Sequence, residues 1–339
     1  MQINNILIVG TGNIGRRHYH LATKLVPEAL VYVLTRNKSA KEKSYVPFEN
    51  QVSYEESLEI HPQIAVLANP SSLHLEYAKK FMYLGAHLLI EKPISNKVCG
   101  VFNLIKHANS MSKTLMVGYN LRFLPSLNKF RDLIRFNEIG KIISVQGVVG
   151  QNLMKWRVEK DYRESVSAKH ELGGGVLLEL SHEIDYIRWI FGEIESVYGL
   201  LGKLSKLEIN VEDSAQILLE FASDNQGSKL VGNLSMDFIR HDPVRQCIAV
   251  GERGSLRWNG IVGTVEKWLP EEGVWNNVCE FSNEIDDSYL AEWINFLDSV
   301  NNKDYPKVTG MDALKVMQII EAVRDSSKSG TKVNISKYI

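Results

Sequence analysis

"ILIVGTGNIGRRH", residues 6–18, is the stretch on which the reading of the fold turns. Its first four residues are apolar and read as a strand buried on both faces. They run into G-x-G-x-x-G, with Gly10, Gly12 and Gly15 at the fixed places and Asn13 and Ile14 between them, and then into a segment of helical character. The first two glycines permit a tight turn and close backbone approach. The third lets helix and strand pack, so that a pyrophosphate can sit against the helix N-terminus. The pattern is weak alone, but a strand before it and a helix after it set it above an ordinary Gly-rich turn.

Outward from this turn the same texture repeats. "ALVYVLT" (29–35), "QIAVLAN" (63–69), "HLLIEKP" (87–93) and "TLMVGYN" (114–120) are short apolar runs separated by helical patterns. Buried strands alternating with helices imply βαβ units and a parallel sheet with right-handed crossovers. After Arg122 the pattern changes to alternation. "IISVQGVVG" (142–150) places Ile143, Val145 and Val149 on one side, and "SAQILLEF" (214–221) and "KLVGNLSMDF" (229–238) behave alike. Such segments form antiparallel strands with one buried face. Further short strands are expected at "QCIAVGE", "SLRW" and "TVEKWL", and a final helix over 312–330, with Leu314, Met317, Ile320 and Val323 at helical spacing and Gly330 at its end.

With 339 residues, two domains are favoured over one. Lys plus Arg (39) nearly cancels Asp plus Glu (40), which advertises neither a nucleic-acid nor a membrane surface. No apolar stretch approaches the length of a membrane span, and the amino end enters a strand at once, without the regions of a signal peptide. Cys99, Cys247 and Cys279 lie far apart and lack metal-ligand spacing, so reduced thiols, no metal site and a cytoplasmic location are expected.

The second strand ends in Thr35, Arg36 and Asn37. A site built for NAD usually has Asp or Glu there to bind the ribose hydroxyls; a hydroxyl and a guanidinium instead favour the extra phosphate of NADP. The alternative is a solvated basic loop that admits NAD as well. In "ANPSSLHLEYA", Ser71 or Ser72 is available to cap the following helix. The carboxyl ends of the strands border the ligand crevice of a doubly wound sheet, so Asn69, Pro70 and His74 are expected near the ribose or nicotinamide. For His74 a surface helix position is as good a reading. "EKP", Glu91, Lys92 and Pro93, closes the fourth run, and in isolation a strand-end charge pair explains it.

"GGGVLLELSHEIDYIRWIFG" (173–192) is the richest stretch. As one helix it puts Leu177, Leu180, Ile184, Ile187 and Phe191 on one stripe, and His182 faces away with Glu179 and Asp185 as neighbours three residues either side. Carboxylates beside a histidine can orient it and raise its pKa. The three leading glycines allow backbone to approach a ligand closely. A surface ion-pair cluster is the plain alternative.

Together, the glycine turn, "ANPSSLH", "EKP", "GYNLRFLP" (118–125) and the 173–192 segment resemble the glucose-fructose oxidoreductase, inositol dehydrogenase and rhizopine-catabolism family of sugar dehydrogenases over essentially the whole chain. The resemblance implies a fold that is α/β plus α+β. A Rossmann doubly wound parallel sheet would occupy residues 1–121. Residues 122–339 would form a substrate-binding domain built on a large, mainly antiparallel open sheet that mediates dimer or tetramer contacts. It implies hydride transfer between a nicotinamide and a carbon of a sugar or cyclitol. Lys92 would then donate to the substrate hydroxyl or its oxyanion, and Glu91 would orient Lys92 or bind the nicotinamide ribose. The Lys92–Pro93 bond would be cis, and His182 the acid/base. Many members carry an aspartate four residues before this histidine, where this chain has Leu178. Glu179 either substitutes for it, or Lys92 and His182 work alone.

Tyr119, Asn120 and Arg122, with Trp156, Arg157, Tyr162 and Arg163, are candidate contacts to a polyhydroxylated, anionic substrate such as a sugar acid or nucleotide sugar. A lid without specific contacts is the alternative. Two rival functions are consistent with the same residues. One is a glycosidase or lyase whose retained nicotinamide cycles, and the other is a non-catalytic regulator that senses nucleotide.

Overall fold

The computed structural model describes residues 2–35, 45–156, 161–223, 229–282 and 285–338. Arg36 and Arg157 lie outside the described residues, as does the rest of the basic run after β2. The chain divides into two compact units, Met1–Tyr119 with Tyr289–Leu314, and Asn120–Ser288 with Lys315–Ile339.

In the first unit, strands β1 (Asn5–Val9), β2 (Leu30–Leu34), β3 (Gln51–Val52), β4 (Ile64–Leu67), β5 (His87–Glu91) and β6 (Leu115–Gly118) form one parallel sheet in the order β3-β2-β1-β4-β5-β6. Five strands were legible as apolar runs. The sixth, β3, has two residues at the edge and no pattern to betray it. Helices α1 (Asn13–Leu25), α2 (Tyr54–Glu59), α3 (His74–Tyr83) and α4 (Val101–Ser110) alternate with the strands. The α2 start is fixed by a reciprocal capping box, Ser53 with Glu56. Side chains in the middle of β1, β4 and β5 are fully buried, as expected for a parallel sheet covered on both faces.

The second unit contains α5 (Pro125–Arg135), β7 (Ile142–Gly150), α6 (Val176–Glu179), α7 (His182–Phe191), β8 (Ile194–Gly202), β9 (Ser214–Phe221), β10 (Val231–Asp237), β11 (Val244–Gly251), β12 (Ser255–Asn259), β13 (Thr264–Trp268) and β14 (Trp275–Glu280). Helices α8 (Ile285–Val300) and α9 (Gly310–Ser329) each contain a division between the units, and β15 (Val333–Asn334) follows. The nine-stranded sheet runs β14-β13-β12-β11-β7-β10-β9-β8-β15, antiparallel except for the β7–β10 pair. On β7, Val145 and Val149 are buried as their alternation requires. Ile143 is 52% exposed, because the β7–β11 register shifts near its end of the strand, between Val250 and Gly251.

Helices cover one face of this sheet where side chains are missing. A Cβ on Gly147 of β7 would lie 3.1 Å from the Ile187 tip of α7, and one on Gly199 of β8 would lie 2.8 Å from Val323 of α9. Ser326 and Ser327 of α9 accept the amides of Gly199 and Leu201. No helix among the described residues is long and apolar enough to cross a membrane.

Candidate active site

The glycine turn packs against itself. A Cβ on Gly15 would stand 2.0 Å from the Gly10 carbonyl oxygen, and one on Gly10 (φ +121°) would stand 2.6 Å from that of Ala68. A Cβ on Gly12 would meet nothing within 4 Å, which leaves space in front of the first turn of α1. That helix has Gly12 as its N-cap, no side-chain cap and no acidic residue in its first turn. An uncapped helix N-terminus facing open space suits a pyrophosphate. Further along the same sheet edge, the Thr35 hydroxyl and both polar side-chain atoms of Asn69 are buried without a hydrogen-bond partner among the described residues. Orphaned polar atoms beside the turn fit the hydroxyls and phosphates of a dinucleotide. Gly10, Gly12, Gly15, Thr35 and Asn69 therefore fit the group that the fold implies.

His74 is built differently from the expectation. It is 1% exposed, with Nδ1 2.9 Å from the Pro93 carbonyl oxygen and Nε2 2.8 Å from that of Asn69. Burial holds its pKa below the ordinary imidazole value, against the opposing pull of these carbonyls and of the Glu91 charge. With both ring nitrogens set against backbone, His74 is a strut between the loops after β4 and β5 and not a ribose ligand. No serine caps α3: a 3-10 turn, Ser71–Leu73, leads into it, and Leu73 holds the N-cap place without a side-chain bond.

Lys92 leaves the carboxyl end of β5 half-buried, followed by a cis Lys92–Pro93 bond. The Glu91 carboxylate is buried and engaged on both oxygens: Oε1 lies 2.9 Å from His18 Nε2, and Oε2 accepts the Lys92 amide at 3.2 Å. Those bonds favour orientation of Lys92 over ribose binding. His18 was missed in the sequence, where the only signal is its place three residues after Gly15.

In the second unit the expected continuous helix is two pieces, α6 and α7, joined through Leu180 (φ −100°, ψ 21°) and Ser181. His182 opens α7. The alternative of a surface ion-pair cluster does not hold, because every residue from His182 to Arg188 is buried. The charges are matched from distant strands and turns. Arg122 grips Asp185 with two bonds of 2.6 and 2.8 Å, Arg245 of β11 bonds Glu183 at 2.7 Å, and Arg188 bonds Glu193 at 2.6 Å. Glu179 accepts from the Ser167 hydroxyl at 2.9 Å.

Two of the three glycines ahead of α6, Gly174 and Gly175, admit the protein's own chain. A Cβ on Gly174 would lie 2.3 Å from the Val166 carbonyl oxygen, and one on Gly175 would lie 2.5 Å from Glu212 Oε1. Arg122, expected at a substrate, is 2% exposed; beyond Asp185 it lies over the Trp189 ring at 5.4 Å, and Arg131 lies over that ring at 4.1 Å. Tyr119 is fully buried, and the Asn120 amide donates to Ser288 Oγ at 2.8 Å. Trp156 packs edge-on to Phe238 with its indole nitrogen buried and without a partner among the described residues. The Tyr162 hydroxyl accepts the Glu208 amide, and exposed Arg163 pairs with Asp161 and Glu208. Among the described members of this set, Trp156 alone has a buried polar atom without a hydrogen-bond partner.

Residues 4–119 match the family model described as oxidoreductase family, NAD-binding Rossmann fold, and residues 131–335 match that described as oxidoreductase family, C-terminal alpha/beta domain. The chain is 22% identical over 344 residues to myo-inositol 2-dehydrogenase of Thermotoga maritima, covering 98% of each. Among solved structures, levoglucosan dehydrogenase in complex with NADH superposes with a TM-score of 0.84 at 18% identity, over 98% of this chain and 99% of that one. The WlbA dehydrogenase of Bordetella pertussis, in complex with NADH and UDP-GlcNAcA, gives 0.80 at 19% identity over 98% of both chains.

Proposed function

The chain belongs to the glucose-fructose oxidoreductase, inositol dehydrogenase and rhizopine-catabolism family of oxidoreductases, and from that premise we propose that it moves a hydride between NADP and a hydroxyl-bearing carbon of a sugar or sugar derivative. The observation that carries this reading lies on one sheet edge. The neighbouring parallel strands β1, β4 and β5 end, in that order, in the glycine turn, the orphaned Asn69 and the Lys92 ammonium. A cation at the carboxyl end of a strand, beside a dinucleotide cradle, suits an oxygen that gains charge during hydride transfer.

A bound nicotinamide supplies the redox chemistry. Backbone amides at Gly12, Asn13 and Ile14 would hold its pyrophosphate, and Thr35, Asn69 and Pro70 would border its ribose side. In oxidation His182 removes the hydroxyl proton, and Lys92 Nζ donates to the oxygen as it becomes an alkoxide; in reduction His182 returns the proton. Glu179, bonded to the Ser167 hydroxyl across the break between α6 and α7, takes no step in this scheme. Trp156 bounds the sugar. Lys92→Met should lower turnover by roughly 10²–10⁴-fold with NADPH affinity nearly intact. Unchanged turnover would remove Lys92 from the chemistry.

NADP is proposed because β2 runs into Thr35 with no acidic residue in "TRN" (35–37), although the two solved relatives above carry NADH. Fluorescence titration of both coenzymes decides it: tight NADH with weak NADPH binding excludes the preference. The substrate is best sought among inositols, anhydrosugars, sugar acids and UDP-sugar acids, read by nicotinamide absorbance. Self-association through the second sheet is part of the same proposal, supported by exposed Leu200, Leu218 and Val231 on adjacent strands β8, β9 and β10.

A further inference from the structure

Behind Lys92 runs a chain of buried hydrogen bonds contained in the first unit. Trp293 of α8 donates its indole N–H to His18 Nδ1 at 2.9 Å. An indole nitrogen can only donate, so Nδ1 accepts and the ring hydrogen sits on Nε2. From there it is given to Glu91 Oε1 at 2.9 Å, and Glu91 Oε2 takes the Lys92 amide at 3.2 Å. Trp293 and His18 are fully buried and Glu91 is 7% exposed, so water does not compete for the first two bonds; the third, to the Lys92 amide, is part-buried.

The surroundings are shaped for a single carboxylate. Gly118 pairs with Glu91 across β5 and β6, and a Cβ there would stand 3.1 Å from Glu91 Oε2. The edge of the Tyr289 ring meets His18 at 5.8 Å, and Arg17 lies over Tyr289 at 4.7 Å. Glu292, one residue before Trp293, is fully buried with neither oxygen bonded among the described residues. Burial, then the Glu91 charge, holds its pKa well above the usual carboxylate range.

We propose that His18 and Trp293 are positioning residues for Lys92: they lock the Glu91 carboxylate, and through the Lys92 amide they set the direction in which the ammonium leaves the strand. A charge-assisted bond from a ring of fixed tautomer restrains the carboxylate more tightly than water would. Small displacements of a reacting group cost large factors in rate, so such a restraint has a use. The inference rests on Lys92 acting as proposed above.

The test reads Lys92 directly, in the purified full-length protein, by its rate of labelling with trinitrobenzenesulfonate followed by peptide mapping. It needs no substrate, so its failure is distinct from failure of the Lys92→Met turnover experiment. Trp293→Phe and His18→Ala should each raise the labelling rate by roughly threefold or more, at unchanged circular dichroism. His18→Gln, whose amide can still reach Glu91, should return most of the way to the wild-type rate. Phe296→Leu disturbs α8 beside Trp293 without touching the chain of bonds and should leave the rate alone. Long-range ¹H–¹⁵N spectra of the wild type should show His18 with its hydrogen on Nε2 and Nδ1 bare, and the reverse tautomer would break the chain of bonds. Equal rates for His18→Ala and His18→Gln, no change in either His18→Ala or Trp293→Phe, or an equal rise in Phe296→Leu would overturn the proposal. If Trp293→Phe does not fold, the two His18 variants decide it alone.

Discussion

Glu292 is the residue whose environment has the plainest cost. Its carboxyl is fully buried and unbonded among the described residues, and burial followed by the charge of Glu91 raises its pKa well above the ordinary 4.5. The folded protein therefore binds a proton that the unfolded chain releases. Stability from this group is complete below pH 4.5 and is lost as pH climbs through the raised value. Each pH unit across that window is worth about 1.4 kcal/mol, or a few °C in melting temperature. Glu292→Gln carries no ionisable proton. Its melting temperature relative to wild type should become steadily more favourable from pH 5 to pH 8 in parallel thermal scans. A constant offset would mean that Glu292 is not protonated in the fold.

At the scale of the element, α7 shows how a charged helix can sit inside a protein. Asp185 and Arg122 are 1% and 2% exposed and joined by two bonds. Removing the charge of one partner leaves the other buried and uncompensated, a change that costs about 3–5 kcal/mol. Asp185→Asn should accordingly lower the urea midpoint with a loss of that size, whereas Asp161→Asn in the exposed Arg163–Asp161 pair should shift it far less. Equal small losses would show that Asp185 is not a buried partner in solution. Periodicity located this helix and its apolar stripe, yet it left open whether the charged side is a surface ion-pair cluster. The burial could not be read locally, because Arg122 and Arg245 arrive from about sixty residues away in each direction. The glycine turn was legible for the opposite reason: Gly15 packs directly on Gly10, five residues before it.

Across the molecule, the two sheets were legible from the switch between continuous apolar runs and strict alternation, and the motifs fell on the expected strands. What no local pattern carried is the return of Tyr289–Leu314 to the first unit. That segment supplies Trp293, Phe296 and Val308, all fully buried, and the Val308 carbonyl accepts the Val117 amide at 3.2 Å beside a bridge between Met116 and Thr309. Gly310 lies where a Cβ would stand 2.8 Å from both Ile105 and Leu115, so the chain is seated directly against α4 and β6. At about 1.5–3 kcal/mol for each large apolar side chain, those three residues contribute about 5–9 kcal/mol, comparable to the whole stability of a typical domain. A fragment of residues 1–121 should therefore bind 8-anilinonaphthalene-1-sulfonate and unfold without a cooperative transition. The same fragment joined to residues 289–314 through a flexible linker should unfold cooperatively and bind NADPH. Cooperative unfolding of the 1–121 fragment alone would show that the nucleotide-binding unit is complete without its C-terminal return.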